Sequence, residues 1–204
     1  MAEDKATREK LLDSAKREFM EKGYMKASLR TICKNAGVTT GALYFFFQGK
    51  EDLLGELVEE PLKGLTALIQ HHFAEEAETV TGPVSLGADT ADVRAAKEIV
   101  RFMYQYYDVF LILLTKSQGS RYEDIVSHFA DWGEEHYRTL MGQVGESGVP
   151  NLDEYIIHWM IYTQINAFTH LLMHEPDVEK ALAHIEKIVV FLVSGWNGMF
   201  GLEI

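Results

Sequence analysis

The chain has 204 residues, of which 47% are hydrophobic and 25% are charged. This balance is typical of a globular protein of one or two domains and excludes wholesale disorder. A single cysteine, Cys33, excludes an internal disulfide and favours a reducing cytoplasm. We find neither a secretory signal nor an apolar run near the roughly 20 residues of a membrane helix. These features predict a soluble, cytoplasmic protein without a membrane segment.

The net charge of −12 is unevenly distributed along the chain. Between Lys5 and Lys50, ten basic residues outnumber four acidic ones, whereas residues 51–204 hold nine basic and 25 acidic residues. A basic N-terminal segment, followed by an acidic remainder of the chain, indicates that the N-terminal segment binds a polyanion. A chance local excess of basic residues is the alternative.

Apolar residues recur at helical spacing from the beginning of the chain. They predict a first helix over residues 7–22, with Thr7 as its N-cap and Gly23 as its stop. A short second helix follows, which Ser28 caps and Gly37 ends.

The third predicted helix is also short and begins at Thr39 or Thr40. A fourth begins near Lys50 and is expected to be kinked by Pro61, because proline cannot donate the helical hydrogen bond. We expect it to resume as far as residue 78.

The remainder of the chain is predicted to be helical as well. Residues 81–89 are expected to form a loop, followed by helices over about 90–117, 121–145, 152–174 and 178–199. The sequence therefore predicts an all-α fold.

Two short helices joined by Gly37 and Val38 have the layout of a helix-turn-helix, in which the turn needs a residue that tolerates positive φ. The second helix of such a motif must present small or hydrogen-bonding side chains to the major groove. The residues that meet this requirement are Thr39, Thr40, Gly41 and Ala42.

Tyr44 and Lys50 are candidates for contacts with DNA phosphates. Lys50 also lies at a helix N-terminus, where free backbone N–H groups favour an anion. The alternatives are that Tyr44 belongs only to the core and that Lys50 is only a solvated cap.

A pattern of about 30 residues without gaps extends this motif. Its members are Gly23, Tyr24, Ser28, Leu29, Ile32, Ala36, Gly37, Val38, Thr39, Gly41, Leu43, Tyr44, Phe47, Lys50, Glu51 and Leu53. The pattern resembles the DNA-binding domain of the TetR (tetracycline repressor) family of transcriptional regulators. With the helix before it, the resemblance covers about residues 1–55.

The resemblance implies an N-terminal three-helix DNA-binding domain at 1–50 and a helical ligand-binding and dimerisation domain at 51–204. It implies homodimers, joined through the last two helices, that bind a palindromic operator. Base contacts are expected from Thr39, Thr40 and Ala42. Ser28 and three further residues are expected at the DNA backbone, namely Tyr44, Phe45 and Lys50.

The function implied is that of a repressor released from its operator by a small molecule bound in the C-terminal domain. An activator would use the same parts. Two departures from the family pattern, Ala27 and Phe46, remove groups that could hydrogen-bond phosphates, which leaves open an architectural protein without DNA specificity. We find no motif of an enzyme and predict neither catalysis nor a cofactor.

The C-terminal region is rich in aromatic residues, which suit a pocket for an amphiphilic or aromatic ligand. Ordinary core packing is the alternative for each of them. The candidate pocket residues are Phe102, Met103, Tyr106, Phe110, Trp132, Tyr155, Trp159, Tyr162 and Asn166.

Histidines occur at spacings that can bind metals. His170 and His174 are four residues apart, and His71 and His72 are adjacent, but the spacing shows no third ligand. We therefore predict no metal site. We interpret Cys33 as a buried apolar residue, with redox sensing as the alternative.

Overall fold

A computed structural model describes residues 2–79, 91–144 and 153–199. Within these ranges the chain forms nine helices and no strand, which confirms the predicted all-α fold. The predicted loop over 81–89 lies outside the described residues. The helices are α1 (Ala2–Lys26), α2 (Leu29–Ala36), α3 (Thr40–Phe46), α4 (Lys50–Thr79), α5 (Ala91–Gln105), α6 (Tyr107–Thr115), α7 (Ile125–Val144), α8 (Glu154–His174) and α9 (Val178–Met199).

Helix α1 is longer than predicted at both ends, but Gly23 interrupts it as expected. The backbone of Gly23 has φ 72° and ψ 161°, outside the helical region. Glycine takes this conformation without the steric cost that a Cβ atom would add. The chain is held there by the N–H of Tyr24, which donates to the carbonyl of Lys116 at 2.8 Å.

The predicted bounds of α2 and the predicted beginning of α3 are confirmed by their caps. The Ser28 hydroxyl accepts a hydrogen bond from the N–H of Thr31. At the other end of α2, Gly37 is left-handed, with φ 71°, and its N–H bonds to carbonyls of the last turn. The Thr39 hydroxyl caps α3 by accepting from the N–H of Ala42.

Helix α4 continues through Pro61 from its first residue to its last. The predicted single helix over 90–117 is wrong. It is divided into α5 and α6 at Tyr106, whose φ of −119° and ψ of 36° are not helical. Helix α7 begins at Ile125, later than the predicted residue 121.

The chain forms two compact units. The first unit comprises Met1–Gly64 and Tyr106–Ile125, and the second comprises Leu65–Gln105 and Val126–Ile204. The fully buried apolar residues of the first unit include Leu11, Phe19, Ile32, Leu43, Phe47, Leu53, Leu54, Phe110, Ile112 and Leu113.

The core of the second unit lies where α5 and α8 pack around α9. Its buried residues are Val93, Ala96, Val100, Leu171, Ala181, Leu182, Ile185, Val189 and Val193. Burial of this much aliphatic surface removes it from water and stabilises the unit. An ion pair between Lys97 of α5 and Glu186 of α9 spans the same contact. Among the described helices, none combines the length and the apolar character needed to cross a bilayer.

Candidate nucleic-acid interface

Helix α3 has one buried face and one face open to solvent. Leu43 and the C-cap residue Phe47 are buried in the core of the first unit. Thr40 and Gly41 are exposed. Tyr44 is 60% exposed and Phe45 is 76% exposed. A tyrosine and a phenylalanine this exposed on a helix are available to a partner.

The N-terminus of α3 is built for close approach. The Thr39 hydroxyl accepts from the N–H of Ala42 at 3.1 Å, and its own proton stays available to donate. Gly41 adds no side chain, so a groove wall can come near the backbone. Ala42 is half-buried and small. This end of α3 can therefore enter a major groove without steric hindrance.

Helix α2 is fastened to α1 by buried polar contacts. The Ser14 hydroxyl donates to the carbonyl of Ile32 at 2.8 Å. The N–H of Ser28 donates to a carboxylate oxygen of Glu18 at 3.1 Å. Ser28 itself is half-buried. The predicted phosphate contact of Ser28 would therefore come from the edge of a rigid helix pair.

Exposed basic residues lie on and beside α2. Arg30 and Lys34 are exposed and four residues apart, so they share one face of the helix, and Lys26 precedes them. Not all of the basic excess is available to a partner. Arg8 forms an ion pair with Glu56. The usable positive charge is thus smaller than the sequence count indicates.

Lys50 has a structural role that the sequence did not reveal. Its Nζ donates to the carbonyls of Tyr24 at 2.9 Å and Met25 at 3.2 Å. It also lies 4.7 Å from the centre of the Tyr24 ring. An ammonium group has three donors, so one remains for a phosphate. The phosphate contact of Lys50 stays a prediction.

A polar network around Glu51 was missed by the sequence analysis. One carboxylate oxygen of Glu51 accepts from the Tyr24 hydroxyl at 2.6 Å, and the other accepts from the N–H of Arg121 at 3.0 Å. Arg121 also pairs with Glu59 at 2.6 Å. Burial, followed by the hydrogen bond to Glu51, raises the pKa of Tyr24 to about 12. No local pattern could have indicated contacts between residues so distant in sequence.

The two departures from the family pattern occupy different environments. Ala27 is buried, and its N–H bonds to the carbonyl of Gly23 at 3.1 Å. Phe46 is half-buried and meets the ring of Phe45 edge-on, with centroids 4.9 Å apart. Phe46 thus supports the position of the exposed Phe45.

The predicted ligand-pocket residues are distributed over both units. Tyr106 and Phe110 belong to the first unit and the other seven to the second. Met103 and Phe110 are buried, Phe102, Trp132 and Tyr162 are half-buried, and Tyr106, Tyr155, Trp159 and Asn166 are exposed. Two clefts in the described ranges have other linings. The pocket stays a prediction.

Helix α2, the turn at Gly37 and the exposed, capped helix α3 have the geometry of a helix-turn-helix. Residues 11–57 match the family "Bacterial regulatory proteins, tetR family". The N-terminal part of this chain is therefore similar to the tetR family, as the sequence pattern indicated.

A curated relative is the HTH-type transcriptional regulator AcrR of Shigella flexneri. It is 46% identical over 57 residues, which cover 28% of this chain and 26% of the relative. The first relatives are matched over only 26% to 40% of their own lengths. The chain thus spans well under half of the length of the curated relatives that it matches.

Solved structures extend the similarity of fold to nearly the whole chain. A TetR-family regulator from Syntrophomonas wolfei has a TM-score of 0.61 at 17% identity, covering 93% of this chain and 96% of the other. NalD of Pseudomonas aeruginosa, the secondary repressor of the MexAB-OprM multidrug efflux pump, has a TM-score of 0.58 at 20% identity, with the same coverage. At these identities the similarity shows a shared fold.

Proposed function

We propose that this protein is a sequence-specific, DNA-binding transcriptional regulator that represses from a palindromic operator. The observation that carries the proposal is the exposed face of α3, with Tyr44 and Phe45 open to solvent beside the capped N-terminus at Thr39. The similarity of the N-terminal part to the tetR family supports it. We assign the DNA-binding domain to residues 1–50 and the regulatory domain to 51–204.

The contacts divide into base reading and positioning. Thr39, Thr40 and Ala42 lie at the N-terminal end of α3 and would meet base edges. Backbone contacts would come from a second group, Ser28, Tyr44, Phe45 and Lys50.

The protein is proposed to act as a homodimer through α8 and α9. Five large apolar side chains on these helices are exposed, namely Tyr155, Trp159, Met173, Phe191 and Met199. Exposed apolar surface of this kind marks a protein interface. Two recognition helices held about 34–36 Å apart would engage successive major grooves, which accounts for a palindromic operator.

Release by a small molecule would act through α4. Residues Lys50 to Gly64 of this helix belong to the first unit, and the rest belong to the second. A ligand that binds the second unit can therefore change the direction of a helix that begins directly after α3, with Pro61 as a site of weaker helical bonding. Equal operator affinity of ligand-bound and free dimers would exclude this part of the proposal.

DNA binding is tested with a fluorescent duplex from the region upstream of the protein's own gene, across a salt series. We expect tight, salt-sensitive binding that Tyr44→Ala weakens about tenfold, a loss of about 1.4 kcal/mol. Arg30→Ala should lower the salt slope by about 1. Lys63→Ala, on an exposed lysine paired with Glu60, is the control and should bind as the wild type does.

If the protein does not bind that duplex, the next experiment is to select the DNA that the same protein binds from a pool of random sequences. Enrichment of a palindrome would support the proposal and would indicate that the operator lies away from the protein's own gene. Failure to enrich any sequence contradicts it and favours an architectural role.

The dimer is tested by light scattering of the eluting protein. Phe191→Asp places a charge on the exposed face of α9 and should yield monomers. Phe45→Asp, at an equally exposed phenylalanine of α3, is the matched control and should stay dimeric. Monomeric wild-type protein at micromolar concentration would contradict the proposed dimer.

A further inference from the structure

Three atoms that can bind a metal converge in the second unit. His72 and Glu76 lie one turn apart on α4, and Asp92 lies in the first turn of α5. Nε2 of His72 is 3.6 Å from Oε1 of Glu76 and 3.8 Å from Oδ1 of Asp92. All three donor atoms lie within 4.8 Å of one another.

These distances fit coordination better than hydrogen bonding. Separations of 3.6 and 3.8 Å are too long for hydrogen bonds. Neighbouring donors around a tetrahedral zinc ion, with bonds of about 2.0–2.1 Å, are separated by about 3.4 Å. The two separations from His72 are therefore within a few tenths of an ångström of those between neighbouring ligands of zinc, and all three donors lie within 4.8 Å of one another.

The cluster holds two carboxylates in a poorly solvated place. The side chains of His72, Glu76 and Asp92 are only 14%, 21% and 19% exposed. Burial raises the pKa of Asp92, and the charge of Glu76 raises it further, while His72 opposes the shift. Two carboxylates carry the charge that one divalent cation balances, so a bound cation would relieve their repulsion.

One ring nitrogen of His72 lacks a hydrogen-bond partner among the described residues. This nitrogen, Nδ1, is buried. A buried nitrogen without a partner costs free energy. Nε2, which lies 3.6 Å from Glu76 and 3.8 Å from Asp92, is therefore the ring nitrogen that could bind an ion.

His136 holds Glu76 in place. Its Nε2 lies 2.7 Å from Oε2 of Glu76, and its ring stacks on Phe73, with centroids 3.8 Å apart and planes 7° apart. This contact leaves Oε1 of Glu76 directed at His72. Histidine–carboxylate partners of this type orient the ligands of many metal sites.

A cleft lies beside the cluster. It has a volume of about 190 Å³ and is lined by residues of α4 and α5. His72 lines this cleft, whereas Glu76 and Asp92 do not.

We propose that the second unit binds one divalent transition-metal ion, of the zinc class, through His72, Glu76 and Asp92. His136 is a positioning residue for Glu76. An imidazole among the ligands favours a transition metal over Mg²⁺ or Ca²⁺, which prefer oxygen. Three protein ligands leave a coordination position for water or an exogenous ligand. The proposal goes beyond DNA binding and does not depend on it.

The test uses the full chain, stripped with a chelator and titrated with Zn²⁺ against a coloured indicator. Co²⁺ absorption reports the coordination geometry. We expect one equivalent to bind, and Asp92→Asn to weaken the affinity at least tenfold. His71→Ala changes the exposed neighbour of His72 on the same helix and is the matched control, with unchanged affinity.

Two further variants separate positioning from folding. His136→Phe should weaken Zn²⁺ binding by about 10–100-fold, whereas His136→Gln retains a donor to Glu76 and should restore much of it. Circular dichroism confirms that each variant is folded. Absence of stoichiometric binding would overturn the proposal. The proposal would also be overturned if Zn²⁺ binding were lost only in a variant in which both His170 and His174 are replaced by alanine. The bound metal would then be an adventitious ion only.

Discussion

The hydroxyl of Tyr24 donates a hydrogen bond to Oε2 of Glu51 at 2.6 Å, across 27 positions of sequence. Lys50, the residue before Glu51, donates from Nζ to the Tyr24 carbonyl at 2.9 Å. The two contacts fasten the segment after Gly23 to the first turn of α4. Helix α3 lies between these segments in the chain, so the proposed DNA-reading helix is held from both sides.

Loss of this hydrogen bond should destabilise the protein. Tyr24→Phe removes the hydroxyl and leaves Glu51 with Arg121 as its partner, through the backbone N–H and the guanidinium group. We expect the free energy of unfolding to fall by about 1–2 kcal/mol, measured by urea denaturation. Tyr44→Phe removes a hydroxyl from an exposed ring and should change stability by less than about 0.5 kcal/mol. Equal effects of the two variants would contradict this role of Tyr24.

The contribution of Tyr24 should depend on pH in the alkaline range. Its pKa is raised from 10.0 to about 12, chiefly by burial. A group whose pKa is higher in the folded state stabilises that state fully below the unfolded pKa. The contribution therefore declines as pH rises from about 10 to about 12. Unfolding of the wild type and Tyr24→Phe over this range should show their difference in stability shrinking, and a constant difference would refute the assignment.

Two adjacent threonines should separate stability from DNA binding. Thr39 caps α3 through its hydroxyl, so Thr39→Ala should cost about 0.5–2 kcal/mol of stability. Thr40 is exposed in the first turn, and Thr40→Ala should cost less than about 0.5 kcal/mol. Both should weaken operator binding. Thermal denaturation and the duplex assay measure the two effects, and a stable Thr39→Ala protein would show that the cap is unimportant.

The turn before α3 depends on the backbone of Gly37. Its φ is 71°, and a Cβ atom added there would meet no atom within 4 Å. The cost of Gly37→Ala should thus come from the left-handed backbone alone, about 1–2 kcal/mol. Gly37→Asn should cost less, because asparagine tolerates this conformation. Chemical denaturation tests the order, and equal losses would indicate a cause other than backbone conformation.

Cys33 should be chemically inert in the folded protein. The side chain is buried, and burial raises the pKa of its thiol, so little reactive thiolate is present at neutral pH. Ellman's reagent should react with the native protein only at the rate of unfolding and with the urea-denatured protein at once. Because the chain has one cysteine, the readout is unambiguous. Fast reaction of the native protein would revive the alternative of redox sensing.

The bounds of α2 and the beginning of α3 could be predicted because their signals are local. Ser28, Gly37 and Thr39 act on backbone groups within four residues of themselves. The division at Tyr106 was not predictable in the same way. Apolar residues continue at helical spacing across it, and the break coincides with the boundary between the two compact units.

For the candidate sites, residue type was visible in the sequence but environment was not. The sequence identified Tyr44 and Lys50 as candidates for phosphate contact. The structure leaves Tyr44 exposed, whereas it directs two donors of Lys50 to backbone carbonyls. The spacing of His72 and Glu76 suits a shared metal, yet Asp92 joins them only because α5 packs beside α4.

By itself, the sequence determined the all-α class, the caps of the helix-turn-helix and the similarity of the N-terminal part to the tetR family. These follow from helical periodicity and from hydrogen bonds between near neighbours in the chain. The tertiary structure alone decided the network of Tyr24, Glu51 and Arg121 and the convergence of His72 with Asp92. Such contacts join residues 20 to 70 positions apart, and they form only when the burial of apolar surface brings separate helices together.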